Sequence, residues 1–107
     1  MAKLITKAIL KKLPALGATA ELEPHEVKVP LKIFNPYGAG RWYITEYDPE
    51  TGDCFGYVTG LGYDEMGYIS FKELENMRFF GGRLKLERDQ WWDSNTTLDK
   101  VKSGETY

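Results

Sequence analysis

The residues most able to do chemistry in this chain are carboxylates gathered around one predicted hairpin. Glu46, Asp48, Glu50 and Asp53 follow one another closely, and oxygens at this density could hold a divalent metal ion, as nuclease sites do. Their spacing matches no calcium-binding loop, however. Asp48 also opens the run Asp-Pro-Glu-Thr-Gly, which turn geometry alone favours. We therefore expect neither a metal ion nor another cofactor here.

Nucleophilic chemistry has little support in the sequence. There is one cysteine, Cys54, and one histidine, His25. Cys54 lies inside a predicted strand, where a buried small side chain is the usual role, and His25 lies in a loop beside Pro24 and is expected at the surface. A single cysteine excludes an internal disulfide and a cysteine-based zinc cluster. No Gly-x-Ser-x-Gly elbow or phosphate-binding glycine loop occurs, so the sequence favours a protein that is not an enzyme.

Glu46 is unusual among the carboxylates because strand alternation places it on the same face as Trp42 and Ile44. If that face is buried, the charge needs a partner, which Arg41 or Arg88 could supply. A buried ion pair is most often structural, and a functional site is the alternative.

Aromatic side chains are the second signal. Five aromatic residues lie on two neighbouring predicted strands, and alternation divides them between the two faces: Trp42, Tyr43, Tyr47, Phe55 and Tyr57. One face must form the core, and rings exposed on the other would suit a protein interface or base stacking. The alternative is that both faces are covered within the fold or a dimer. Trp91 and Trp92 are adjacent, so one is expected to be exposed or to close over the sheet edge.

Charge separates the partner classes. The chain of 107 residues has 14 Lys and Arg against 16 Asp and Glu, a net charge of −2, which argues against a strongly basic nucleic-acid binder. Residues 1–45 contain seven basic and three acidic groups, giving +4, and residues 46–107 contain seven and thirteen, giving −6. The acidic surroundings of the aromatic strands favour a protein partner. No apolar run approaches the roughly 18 residues of a membrane span.

The elements that must position these residues begin with a helix near the start of the chain. Ile5, Ile9 and Leu13 recur every fourth residue, Thr6 can cap the helix, and Pro14 ends it. The lysines are spread along this segment, whereas a secretory signal has its charges at the front. The sequence therefore predicts a cytoplasmic protein.

Alternating apolar and polar residues predict five strands over residues 27–33, 41–47, 53–59, 67–69 and 83–88. Pro30 favours an edge position or a bulge for the first, and Gly56 a bulge or a close approach in the third. Ser70 and Glu73 form a capping box that begins a helix over 71–77. Because the connections have hairpin length, we predict an α+β fold. It has a four- to five-stranded, mostly antiparallel sheet, an N-terminal helix and one helix before the last strand. A single domain covers residues 1–95, and the polar tail 96–107 is predicted to fray.

An ordered set of short segments resembles a known bacterial family. The segments are Lys32-Ile33-Phe34, Trp42-Tyr43 with Glu46 and Asp48, Phe55-Gly56-Tyr57-Val58, Glu65-Met66-Gly67-Tyr68-Ile69-Ser70 and Leu86-Glu87-Arg88-Asp89. Over residues 4–92 the chain resembles the domain-of-unknown-function 2958 family. The resemblance implies a small single-domain protein, often carried on plasmids, phages and other mobile elements, and it supplies no reaction.

Three functional hypotheses follow. The preferred one is a non-catalytic protein-interaction module, monomeric or homodimeric, which the resemblance extends to a mobile-element accessory or anti-defence (anti-restriction or anti-CRISPR-like) factor. The alternative is a single-stranded nucleic-acid-binding protein or small metal-dependent nuclease that uses Arg41, Arg83 and Arg88. It would also use the carboxylates Glu46, Asp48 and Asp89. A hydrolase acting through Glu46 and Asp89 is a weaker third. The candidate binding residues are Trp42, Tyr43, Glu46, Asp48, Arg88, Asp89, Trp91 and Trp92.

Overall fold

An antiparallel sheet of five strands organises the molecule, for which a computed structural model describes residues 4–79, 82 and 84–104, with 79 and 84 as backbone only. In chain order the elements are α1 (Lys7–Lys12), a short 3₁₀ helix (Pro24–Glu26), β1 (Leu31–Phe34), β2 (Arg41–Tyr47), β3 (Asp53–Thr59), β4 (Glu65–Ser70), α2 (Phe71–Asn76), β5 (Arg78–Phe79), β6 (Leu84–Lys85), β7 (Glu87–Arg88) and α3 (Leu98–Lys102). None of these helices is long and apolar enough to cross a membrane.

The strand order in the main sheet is β4-β3-β2-β1-β7, and β5 and β6 form a separate two-stranded ribbon. The α+β fold is therefore confirmed, and β2 and β3 begin and end at the predicted residues. Both predicted helix starts are also present. The Thr6 hydroxyl accepts from the Ile9 N–H at 3.2 Å, and the Ser70 hydroxyl from the Glu73 N–H at 3.3 Å. Local capping chemistry thus fixes where these helices begin.

Both faces of the sheet are covered, by two separate apolar cores. On one face, here called the α2 face, Leu31, Ile33, Trp42 and Ile44 pack with Phe71 and Leu74 of α2 and with the segment around α1. On the opposite face, here called the α3 face, the buried cluster consists of Val27, Val29, Tyr43, Leu98 and Val101. Trp42 and Tyr43 are both buried, so neither displays a ring to a partner.

The segment predicted as a single strand over residues 27–33 is divided at Pro30. Val27 and Val29 belong to the core of the α3 face, whereas Leu31 and Ile33 belong to the core of the α2 face. Pro30 has no N–H for a strand ladder, and β1 begins immediately after it. Of the two predicted alternatives, an edge position or a bulge, the edge position is wrong, because β1 lies between β2 and β7.

A bulge in β2 reverses the predicted orientation of Glu46. Ile44 pairs with Gly56 and Glu46 pairs with Phe55, which leaves Thr45 as the extra residue. The Thr45 hydroxyl is buried and donates to the Phe55 carbonyl at 3.0 Å. Glu46 therefore lies on the α3 face, opposite to Trp42 and Ile44, and the predicted shared face is wrong. Gly56 accepts the close approach that its sequence position predicted, because a Cβ there would lie 2.1 Å from the Tyr43 carbonyl oxygen.

Residues 96–104 differ from the frayed tail predicted for them. The Thr96 carbonyl accepts from the Val29 N–H at 2.8 Å, and the Val27 carbonyl accepts from the Leu98 N–H at 2.8 Å. α3 then buries Leu98 and Val101. This segment closes the α3 face.

Gly56 and Gly67 face each other across β3 and β4, and they provide a matched test of this packing. We expect Gly56→Ala to destabilise the fold by about 3 kcal/mol or more, because the new Cβ collides with rigid backbone. A Cβ at Gly67 meets no atom within 4 Å, so Gly67→Ala should instead stabilise the strand by roughly 0.5 kcal/mol. Chemical denaturation of both variants measures the difference, and equal midpoints would contradict the proposed backbone contact.

Candidate functional site

Cys54 is unsuited to nucleophilic attack. Its side chain is fully buried, and the thiol donates to the Ile69 carbonyl at 3.2 Å. Burial, together with the nearby charge of Asp53, raises the pKa of the Cys54 thiol to about 12. Because the thiolate is the reactive form, Cys54 serves as a small packing residue.

Glu46 fastens a loop to the sheet. Its carboxylate accepts from the Gly17 N–H at 2.8 Å, the Thr19 N–H at 2.9 Å and the Thr19 hydroxyl. The residue is only 4% exposed. Burial raises the pKa of this carboxyl, but the hydrogen bonds from Thr19 and Gly17 outweigh burial and lower the pKa overall. The predicted partners, Arg41 and Arg88, are wrong, because backbone and hydroxyl donors satisfy this charge instead.

Three of the predicted site residues meet around a lysine that sequence reasoning missed. Lys32 is buried, with its Nζ 3.4 Å from Oδ2 of Asp89. The same nitrogen lies 5.8 Å from the Tyr43 ring centroid and 5.3 Å from that of Trp92. The Trp92 indole donates to the Val29 carbonyl at 2.7 Å. Burial lowers the pKa of Lys32, while Asp89 acts in the opposite direction. The pairing of Lys32 with Tyr43 across β1 and β2 places the lysine here, and the cluster closes the α3 face.

The remaining predicted residues lie apart. The Asp48 carboxylate accepts from the Glu50 N–H at 2.9 Å within the hairpin turn. Trp91 is 95% exposed and shares a cavity of about 230 Å³ with Arg88 and Asp89. Glu46 lines a different cavity, so the structure does not bring Glu46, Arg88 and Asp89 together.

Arg83 lies outside the described residues. Within them, no group of three or more His, Cys, Asp or Glu is placed to hold a metal ion.

The outer edge of β4 is accessible, and none of the predicted site residues lies on this strand. β4 has six residues and pairs with β3 alone among the described strands. An edge strand directs the N–H and C=O of every second residue outward. Tyr68 on this strand is 77% exposed, and Tyr63 and Leu61 in the preceding loop are also exposed. The sequence predicted a short strand at 67–69, but its edge position depends on the strand order.

A recess opens on each side of this edge. On the α2 face, the Gly67 groove has a volume of about 250 Å³; its lining includes Leu61, Leu74, Met77, Glu65, Glu73 and Gly67 itself. On the α3 face, the Glu46 cavity has a volume of about 370 Å³; its lining includes Thr19, Glu46, Phe55, Met66 and Tyr68. Phe55 and Tyr68 meet edge to face there, with ring centroids 5.0 Å apart. Tyr68 lines both recesses, so β4 forms the ridge between them.

This arrangement can be compared with known proteins. The family model described as "Protein of unknown function (DUF2958)" matches residues 4–103. The chain belongs to this family. The DUF2958 match confirms the resemblance and extends past residue 92 to include α3. No curated protein and no solved structure matches the chain.

The hydrogen bonds from Gly17 and Thr19 to the Glu46 carboxylate predict that the stability of the fold depends on pH. We expect Glu46→Gln to lower the free energy of unfolding by about 2–3 kcal/mol at neutral pH, because an amide offers one acceptor oxygen where the carboxylate offers two. The folded-state pKa of Glu46 lies below its ordinary value of 4.5. The stabilisation is therefore complete above pH 4.5 and is lost as the pH falls through the folded-state pKa.

Denaturation of wild type and Glu46→Gln across this pH range measures the effect, with Glu50→Gln as an exposed control in the adjoining turn. If the difference in unfolding free energy between wild type and Glu46→Gln does not shrink on acidification, the ionised Glu46 carboxylate does not stabilise the fold as proposed.

Proposed function

We propose that this protein is a non-catalytic protein-interaction module that receives an extended segment of a partner protein along the free edge of β4. The observation that carries the proposal is that three features occur together at that edge: a strand edge available for pairing, two flanking recesses and an exposed aromatic side chain. A strand of six residues, whose outer edge pairs with no other described strand, lies between two recesses and carries an exposed tyrosine.

Strand addition would use the backbone of β4 for affinity. Its outward N–H and C=O groups can pair with any extended chain, and alternate side chains of that chain would then point to opposite faces of the enlarged sheet. One set would enter the Gly67 groove and the other the Glu46 cavity. Backbone pairing would thus supply affinity, and the two recesses would supply selectivity.

The groups that could react are engaged in packing, hydrogen bonds or an ion pair within the fold, and this supports a binding role. The Cys54 thiol is buried among apolar residues, and the Glu46 carboxylate accepts three hydrogen bonds from the loop. Lys32 and Asp89 pair with each other inside the fold. A hydrolase working through Glu46 and Asp89 would need both carboxyl groups in one cleft, and they line separate cavities.

Charge favours a polypeptide over a nucleic acid at this edge. Glu65 and Glu73 line the Gly67 groove, and acidic groups repel a phosphate backbone. Trp91 beside Arg88 could stack a base, but Glu87 and Asp89 line the same cavity. The nucleic-acid hypothesis therefore has weaker support.

The biological setting of the proposal comes from the family resemblance. A mobile-element accessory or anti-defence factor can act by occupying a surface of a host or element protein, and such an action requires no reaction. We propose this role, in the cytoplasm of a bacterium, for the module described above.

Site-specific photocrosslinking in the native host tests the proposed edge. The variant Tyr68→p-benzoylphenylalanine places the crosslinker on β4, and Tyr37→p-benzoylphenylalanine places it on another exposed tyrosine, in the β1–β2 turn. We expect irradiation to join a discrete protein to position 68 and not to position 37. Equal adducts at both positions, no adduct at position 68, or adducts with nucleic acid alone would overturn the proposal.

A further inference from the structure

We infer that the Gly67 groove selects a basic side chain of the added strand, at the position directly opposite Gly67. This inference rests on the proposed function, because it assigns a residue preference to the strand that β4 would receive. It identifies the partner segment as an extended polypeptide with lysine or arginine at one defined position.

The geometry leaves room for such a side chain. Gly67 pairs with Gly56, which pairs in turn with Ile44, so Gly67 belongs to the α2 face. A Cβ added at Gly67 would meet no atom within 4 Å. In antiparallel addition, the residue opposite Gly67 would place its Cβ about 5 Å from this position and on the same face. Its side chain would enter space that the protein leaves open.

The lining of the groove suits a long side chain with a cationic end. Leu61, Leu74 and Met77 offer apolar surface along which a lysine or arginine stem can lie. Glu65 is a diagonal cross-strand neighbour of the incoming residue, two positions before Gly67, and Glu73 approaches from the first turn of α2. Neither carboxylate forms an ion pair within the part of the chain that the structure describes. A cation in the groove would therefore meet two acidic groups whose charge is not already matched.

The other recess provides an internal contrast. Positions of the added strand that face the Glu46 cavity would meet the Phe55 and Tyr68 rings and Met66. The Glu46 carboxylate there already accepts three hydrogen bonds, and Lys102 lines the same cavity. These positions should favour apolar side chains. The expected ligand thus alternates between a basic residue on the α2 face and apolar residues on the α3 face.

Selection from a phage-displayed library of random linear peptides, with the full-length protein as target, tests the residue preference. We expect the recovered sequences to have this alternation. A selected peptide is then synthesised with its lysine and with norleucine, which keeps the stem and lacks the ammonium group. Calorimetric titration should show the norleucine peptide binding wild type roughly 3- to 10-fold more weakly. The double variant Glu65→Gln/Glu73→Gln should bind both peptides equally.

Two further variants test the inference, and the recovery of peptides tests the proposed function. Glu75→Gln makes the same charge change on α2 outside the groove lining, and it should preserve the preference for lysine. Gly67→Val fills the open space above β4 and should weaken the binding of the lysine peptide while the protein remains folded. Peptides that bind at β4 with no preference for a basic residue, or a preference that survives the double variant, would overturn the inference alone. Unchanged binding of the lysine peptide to Gly67→Val would also overturn the inference, and failure to recover any peptide would overturn the proposed function as well.

Discussion

The close passage of β2 over Gly56 is the constraint on which the rest of the structure depends. The Tyr43 carbonyl lies where a side chain at position 56 would be, and β2 adds Thr45 as an extra residue immediately afterwards. The bulge exchanges the faces of the residues that follow. Glu46 moves to the α3 face, where it fastens the loop around Gly17 and Thr19, and Tyr47 moves to the α2 face, where its ring lies 5.6 Å from that of Phe71. One backbone irregularity thus positions covering segments on both sides of the sheet.

With both faces covered, the edges of the sheet become the places where it can meet another molecule. The β7 edge has two residues, and the cavity beside it mixes acidic and basic side chains. The β4 edge is longer, has no proline, and is flanked by two recesses. Natural edge strands are usually protected by lysine, proline or a bulge, and β4 has none of these. An edge left open in this way is consistent with a docking role.

Local sequence signals predicted the features that depend on neighbouring residues alone. The limits of β2 and β3 follow from alternation, and the helix starts follow from Thr6 and Ser70. The partner of Glu46 could not be predicted in this way. Alternation assumes regular pleating, and the pattern of apolar and polar residues does not reveal the bulge in β2. α3 was missed because Leu98 and Val101 stand alone in a polar segment, and their burial depends on contact with Val27 and Val29. The open edge of β4 depends on strand order, which arises from long-range pairing and not from any short segment.

Hydrogen exchange of individual β4 amides tests the central claim most directly. The protein is compared alone and in complex with its crosslinked partner or a selected peptide, with the amides resolved by NMR. Strand addition predicts that amides of alternate β4 residues, which point away from β3, exchange much more slowly in the complex, while those already bonded to β3 change little. Slowed exchange confined to Glu87–Arg88 and the turn with Trp91, with β4 unaffected, would contradict the account.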